Sequence, residues 1–361
     1  MVNSKRLVKT FIDLVKIDSE SGNEKKVSKY LQKILCDLGL DVALDKKGNI
    51  YAISHGKSSG PSLLFSAHMD TVTPGNGIEP VIKGDRISSR GDTILGGDDK
   101  SGIAEILEML YVIKEKKLDT TSIVVIFSVE EEIGLKGAKA LQPIQVDYGF
   151  VLDTGGEIGT VIVKAPNHYS FEAKVIGRSA HAGMEPEKGI NAIVVASKAI
   201  SKCKIGRIDE ETVANIGMIE GGKATNIVPD EVIVKGEARS QSKKKVKNMV
   251  KDIQLSFKKA CKKAGADLEF IARKDYGYFD VSKEKELLKV CKKAAQSLGV
   301  QHVEQASGGG SDANIFNKMG IPTVVLSTGM NKVHTCEEEI KISDMVTATE
   351  YILSIVKKIK D

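Results

Sequence analysis

The sequence predicts an α/β protein with a smaller α+β domain inserted into it. Three observations carry this expectation. Short apolar runs alternate with helical patterns, first up to about residue 166 and again from about residue 278. Four of those runs deliver acids or a histidine just past their carboxyl ends. Between Asn167 and Gly277 the pattern changes to β-α-β-β-α-β, the ferredoxin-like order.

The elements can be justified in order. Lys5, Arg6 and Lys9 precede apolar residues interrupted by Asp13, Lys16 and Asp18, which makes an amphipathic helix and not a secretory leader. Ser62–Ala67 reads as a buried strand running into His68-Met69-Asp70. A helix follows the Gly96-Gly97-Asp98-Asp99 knot, with Ile103, Ile106, Leu107, Leu110 and Ile113 on one face. Ser122–Val129 runs into Glu130-Glu131-Glu132, and Tyr148–Leu152 into Asp153-Thr154-Gly155-Gly156. Thr323–Ser327 leads through Thr328-Gly329-Met330 towards His334. In open α/β sheets ligands bind at the carboxyl ends of the strands, so a site belongs there.

Inside the insert, His168–Gly177, Val213–Glu220, Ile227–Ala238 and Asp267–Ala272 read as strands. Asn191–Lys202 and Lys243–Gly265 read as helices. The expected division is therefore a discontinuous domain, 1–166 with 278–361, and an inserted one, 167–277.

Composition narrows the function classes. Of 361 residues 41% are hydrophobic and 28% charged, which excludes wholesale disorder. The net charge is only +5, and its lysines lie on a helix whose apolar residues from Val246 to Ala264 keep helical spacing. No Arg is interleaved with them, and the one aromatic residue, Phe257, keeps the apolar spacing, so a solvated face is expected and nucleic acid is not a partner. No apolar run approaches the roughly 20 residues of a membrane helix. Five scattered cysteines without a CxxC pair point to a reducing compartment, hence a soluble, cytoplasmic protein. The 34 glycines gather in short knots, as expected where backbone must approach a ligand.

Each candidate site residue also has an ordinary explanation. His68 and Asp70 fit a structural His–Asp pair as readily as a metal ligand with its hydrogen-bonded carboxylate. One Asp of Asp98-Asp99 suits a helix N-cap, and the second exceeds that need. Three consecutive glutamates suit a solvated loop tip. His55 and His302 read as surface residues, and His168 as structural. Together, however, two histidines and at least three acids converge on one sheet edge without a counter-charge. A pair of divalent metal ions resolves that crowding, with a spare Glu available as general base.

These motifs, in this order, resemble the M20 family of metallopeptidases, most closely peptidase T and its shorter relatives. The resemblance rests on SAHMDTV, GGDDKSG, SVEEEIG, VLDTGG, SAHAG, GGKATNIVP, GEARS and the closing VHT, and spans nearly the whole chain. It implies a catalytic domain of the zinc aminopeptidase type with an inserted lid and dimerisation domain, hence a homodimer. It implies two divalent ions per subunit, zinc by default with cobalt or manganese as alternatives. Asp98 would bridge them, His68 and Asp153 would hold one, and Glu132 and His334 the other. Asp70 would support His68, and the Asp98–Asp99 peptide bond would be cis. Glu131 would be the general base that takes a proton from water held between the metals. His181, Asn226 and Arg239 would contact substrate, with His181 often supplied by the partner subunit. The implied activity is hydrolysis of short peptides, with tripeptide aminopeptidase ahead of N-acyl amino-acid amidohydrolase or carboxypeptidase, and an inactive metal-binding or regulatory protein last.

Overall fold

The structure, a computed structural model, describes residues 1–359. The chain forms two compact units. One comprises Met1–Lys164, Phe279–Ser307 and the chain from Ser311 onward; the other comprises Ala165–Tyr278 with Gly308–Gly310.

The first unit is organised by a mixed sheet. The four runs that deliver polar residues are consecutive neighbours in it, in the order Ile123–Ser128, Leu63–His68, Tyr148–Thr154, Thr323–Ser327, and all pair in parallel. Their side chains are almost continuously buried, because helices cover both faces of a parallel sheet. Antiparallel strands flank the parallel run, Ile50–Ser54 against Ile123–Ser128 and Thr160–Ala165 against Thr323–Ser327. Phe65 and Phe150 stack on adjacent strands at 5.3 Å and anchor the core. Parallel pairing points all four carboxyl ends the same way, so polar residues scattered over the chain arrive at one edge.

The helix Gly97–Glu115 lies against this sheet, and every residue from Gly97 to Leu110 is buried. Its start departs from the N-cap expectation. Gly96 takes the left-handed conformation at φ +73°, Asp98 and Asp99 have non-helical dihedrals, and no side chain caps the helix. The two aspartates are thereby turned away from the helix end. The Asp98–Asp99 peptide bond is cis. A small sheet of Pro80–Lys83, Arg86–Ser89 and Glu339–Lys341, not expected from the sequence, borders this unit.

The second unit is the ferredoxin-like insert. Its strands Asn167–Ile176, Thr212–Gly221, Glu231–Ser240 and Asp267–Tyr276 form an antiparallel sheet with the first strand between the third and fourth. The helices Ala192–Ile200 and Lys243–Ala264 pack on one face over Phe171, Val175, Val195, Val234, Ile253 and Phe257. The third strand starts at Glu231, four residues later than the apolar pattern suggested, because residues 224–230 form a loop paired with the 178–182 segment. The lysines of the long helix face outward while Val246, Met249, Val250, Ile253, Phe257 and Cys261 are buried. Among the described residues no helix is long and apolar enough to cross a membrane.

Candidate metal centre and catalytic site

Asp98 is the centre of the arrangement. Its Oδ1 lies 3.0 Å from His68 Nε2, and its Oδ2 lies 3.2 Å from His334 Nε2. Each carboxylate oxygen therefore faces a different imidazole. Asp153 Oδ1 is 4.0 Å from His68 Nε2, and Glu132 Oε1 is 3.0 Å from His334 Nε2. Two overlapping groups result, His68–Asp98–Asp153 and Asp98–Glu132–His334, each with donor atoms within 4.8 Å of one another. Two imidazoles and three carboxylates in two tripods that share one carboxylate suit a pair of borderline-hard divalent cations.

The surroundings hold these side chains in place. His68 Nδ1 donates to the Asp70 carbonyl oxygen at 2.9 Å, with the Asp70 carboxylate 3.4 Å away. Fixing Nδ1 leaves Nε2 turned to the site. The Asp70 carboxylate chiefly serves another segment: it accepts from the N–H groups of Glu131 and Glu132 and from Ser21 Oγ. The sequence reading of Asp70 as the carboxylate partner of His68 thus captures the lesser of its contacts. Asp99 Oδ2 accepts the His68 backbone N–H at 3.1 Å. Lys100, fully buried, donates through Nζ to Ser19 Oγ and the Met69 carbonyl, bracing the same segment.

The glutamate run is sorted by its neighbours. Glu130, at φ +50°, pairs with Lys47 and Lys136 and is neutralised away from the site. Glu131 and Glu132 are sheltered, Glu131 at 8% exposure, with no such cation. His334 also has a left-handed backbone, φ +63°, a conformation a non-glycine residue adopts only when its surroundings enforce it.

The electrostatics express crowding. Burial, followed by the charge of Asp153, pushes Glu131 well above the usual carboxylate range. Burial and then Asp98 do the same to Asp153. Hydrogen bonds that His334 donates to Asp98 and Glu132 lift its imidazole to about 10. Burial opposes the charge on His68, but Asp70 and Asp98 outweigh it and raise that imidazole. So many like charges with two imidazoles among them are what a cationic occupant would compensate.

The three expected substrate residues lie in the insert. His181 is exposed in a loop, its Nδ1 accepting from the N–H groups of Gly183 and Met184. The neighbouring Ala182 N–H bonds to the Asn226 carbonyl, so His181 and Asn226 belong to one loop pair. Arg239 is elsewhere, on the strand Glu231–Ser240 opposite His168. It donates to Glu237, which also takes a contact from His168 Nε2 at 3.0 Å. The loop pair adjoins the Glu231 end of that strand, and Arg239 is eight residues along it, about 26 Å at the usual strand rise. His181 and Arg239 therefore lie at opposite ends of the insert sheet.

Sequence reasoning missed several supporting groups. Asp312 is buried and accepts from Ser128 Oγ; the triple glycine before it was the available signal. Nothing in the sequence singled out Lys100 within GGDDKSG or Glu338 within Glu337-Glu338-Glu339. His302, expected on the surface, has a side chain only 9% exposed and contacts Glu304.

The sequence pattern of peptidase family M20/M25/M40 matches residues 64–358. The chain belongs to that family. It is accordingly a metallopeptidase-type hydrolase. Protein YqjE of Bacillus subtilis is 42% identical, with 99% of each chain covered. A tripeptidase from Staphylococcus aureus has the same fold, with a TM-score of 0.94, 39% identity and 99% of each chain covered. Aminopeptidase PepT from Bacillus cereus gives a TM-score of 0.89 with 40% identity over the whole of both chains.

Proposed function

We propose that this M20 enzyme is a dinuclear-metal aminopeptidase acting on tripeptides. The observation that carries the dinuclear reading is Asp98, whose two oxygens face His68 and His334 separately. In this reading His68 and Asp153 hold one ion, Glu132 and His334 the other, and Asp98 is shared. Zinc is the default occupant, with cobalt or manganese compatible with the same donors. Bound divalent ions supply Lewis acidity towards the attacking water and the scissile carbonyl.

The chain's own residues supply the rest. Glu131 is the general base: it takes a proton from the attacking water and delivers it to the departing amine. Asp70 holds the turn that presents Glu131 and Glu132 through their backbone N–H groups. His181 and Asn226 stabilise the developing oxyanion, and Arg239 grips the substrate. Substrate preference for tripeptides rests on the likeness to the Staphylococcus aureus tripeptidase and Bacillus cereus PepT.

The enzyme acts as a homodimer, each insert lending its His181 loop to the other protomer. The separation of His181 from Arg239 within one insert supports this. So does the outer side of the strand Thr212–Gly221: the short strand Gly206–Arg207 pairs only with Val213 and Ala214, and beyond it Met218 and Ile219 are 58% and 55% exposed. Ile193 and Val194 add exposed apolar surface on the insert's shorter helix. The test is a tripeptide, a dipeptide and an N-acetyl amino acid assayed side by side with metal analysis. Preferential release of the N-terminal residue from the tripeptide, with two ions per chain, is expected. Preference for the N-acetyl substrate would overturn the aminopeptidase reading.

A further inference from the structure

Glu338 plays no part in the chemistry outlined above, yet it is among the most completely engaged carboxylates in the protein. It is 1% exposed. Its Oε2 accepts the backbone N–H groups of Leu95 and Gly96, both at 2.8 Å, and its Oε1 accepts that of Asp98 at 2.9 Å. Three convergent backbone N–H groups make a concavity that suits an anion. The glycines fit this arrangement. Gly96 supplies the left-handed φ of +73°, and a Cβ on Gly97 would lie 3.0 Å from Glu338 Oε1. The Gly-Gly pair therefore lets the loop close on a carboxylate from 240 residues away.

The other end of Glu338 is tied to His334. Its N–H bonds to the Thr335 carbonyl at 3.1 Å, closing the turn that follows His334. Asn331 and Glu339 exchange both backbone hydrogen bonds, at 2.9 and 3.1 Å, and pin the loop between them. Glu338 thus stands at the base of the His334 loop while its side chain grips the Asp98 loop. The two residues brought together this way are the pair whose atoms lie 3.2 Å apart, Asp98 Oδ2 and His334 Nε2.

We propose that Glu338 is a positioning residue that sets the distance between Asp98 and His334, and so the affinity of the ion held by Asp98, Glu132 and His334. The proposal rests on the ligand assignment given above. Its chemistry predicts which bond fails first. In Glu338→Gln the single amide oxygen keeps the two N–H groups of Leu95 and Gly96, leaving the NH2 group against the Asp98 N–H. Two donors then face each other, and Asp98 is the residue released.

The experiment is titration of the metal-free full-length protein with cobalt(II), followed by calorimetry and visible absorption, with the melting temperature recorded with and without metal. Glu338→Gln should weaken one of the two binding steps by roughly 10- to 100-fold, the range for groups that orient ligands. The cobalt spectrum of that step should change, and the gain in melting temperature on metal loading should shrink. A purely structural role would lower both melting temperatures together and leave both dissociation constants and the spectrum as in the parent, which overturns the proposal. Gly97→Ala, which presses on Oε1 without altering charge, should reproduce the selective weakening if Glu338→Gln fails to fold; unchanged binding in that variant would likewise overturn it. His334→Ala separates the two layers of argument. Two ions retained by His334→Ala would refute the ligand assignment itself. One ion lost there, with Glu338→Gln binding as the parent does, refutes only the positioning role.

Discussion

The two units handle charge in opposite ways. At the parallel-strand edge of the first, Asp98, Glu131, Glu132 and Asp153 are gathered with two histidines and, among the described residues, no lysine or arginine in contact. In the insert, Glu237 is engaged by both Arg239 and His168, and the sheet carries pairs such as Lys174–Glu231 and Lys235–Glu172. There the hydrogen bond from His168, joined by those from Arg239, brings Glu237 down to about 2 against the opposing effect of burial, because its charge is matched inside the protein. In the first unit burial, with neighbouring carboxylates adding to it, shifts Glu131 and Asp153 upward. A surface that neutralises itself can serve as scaffold and substrate grip. A cluster that does not is built for a cation from outside.

Three variants sharpen this contrast, beginning with the largest effect. Glu131→Ala should lower kcat by about 10²–10⁴-fold while metal analysis still finds the parent stoichiometry. Turnover at the parent level would remove Glu131 from the chemistry. Next, Phe257→Ala should destabilise the insert by about 3–5 kcal/mol, since Phe257 is fully buried among Val246, Ile253 and Cys261. Denaturant unfolding measures that loss, and cobalt binding at low temperature should be unaffected; a change in ion count would show that the insert core shapes the centre. The smallest effect belongs to Arg239→Ala, expected to raise KM by roughly 10- to 100-fold, the worth of a charged hydrogen bond, at unaltered metal content. A variant that lost metal but kept KM would reverse the roles of the two regions.

Much of this was legible in the chain, for physical reasons that particular residues illustrate. The strand before His68 was readable because a parallel strand buried on both faces needs an uninterrupted apolar run. The insert's order was readable because each strand and helix carries its own periodicity, as Val246, Met249, Val250 and Ile253 do. The third strand was misjudged at its start because Ile227 and Val228 are apolar yet belong to a loop held by Ala180 and Ala224. One of Asp98 and Asp99 suited a helix N-cap, whereas the backbone turns both off the helix and towards His68.

The sequence by itself determined the four strands, the acids and histidines after them and the family to which they belong. Those features depend on spacing between near neighbours, which the chain carries wherever it folds. Only the tertiary structure decided that Asp98 shows one oxygen to His68 and the other to His334, that Glu130 is spent on Lys47 and Lys136, and that Asp70 holds the Glu131 turn. It also revealed Glu338, hidden in a run of acids and joined to Asp98 across 240 residues. Hydrogen bonds between distant segments leave no period in a sequence; they exist only once the sheet has brought its loops together.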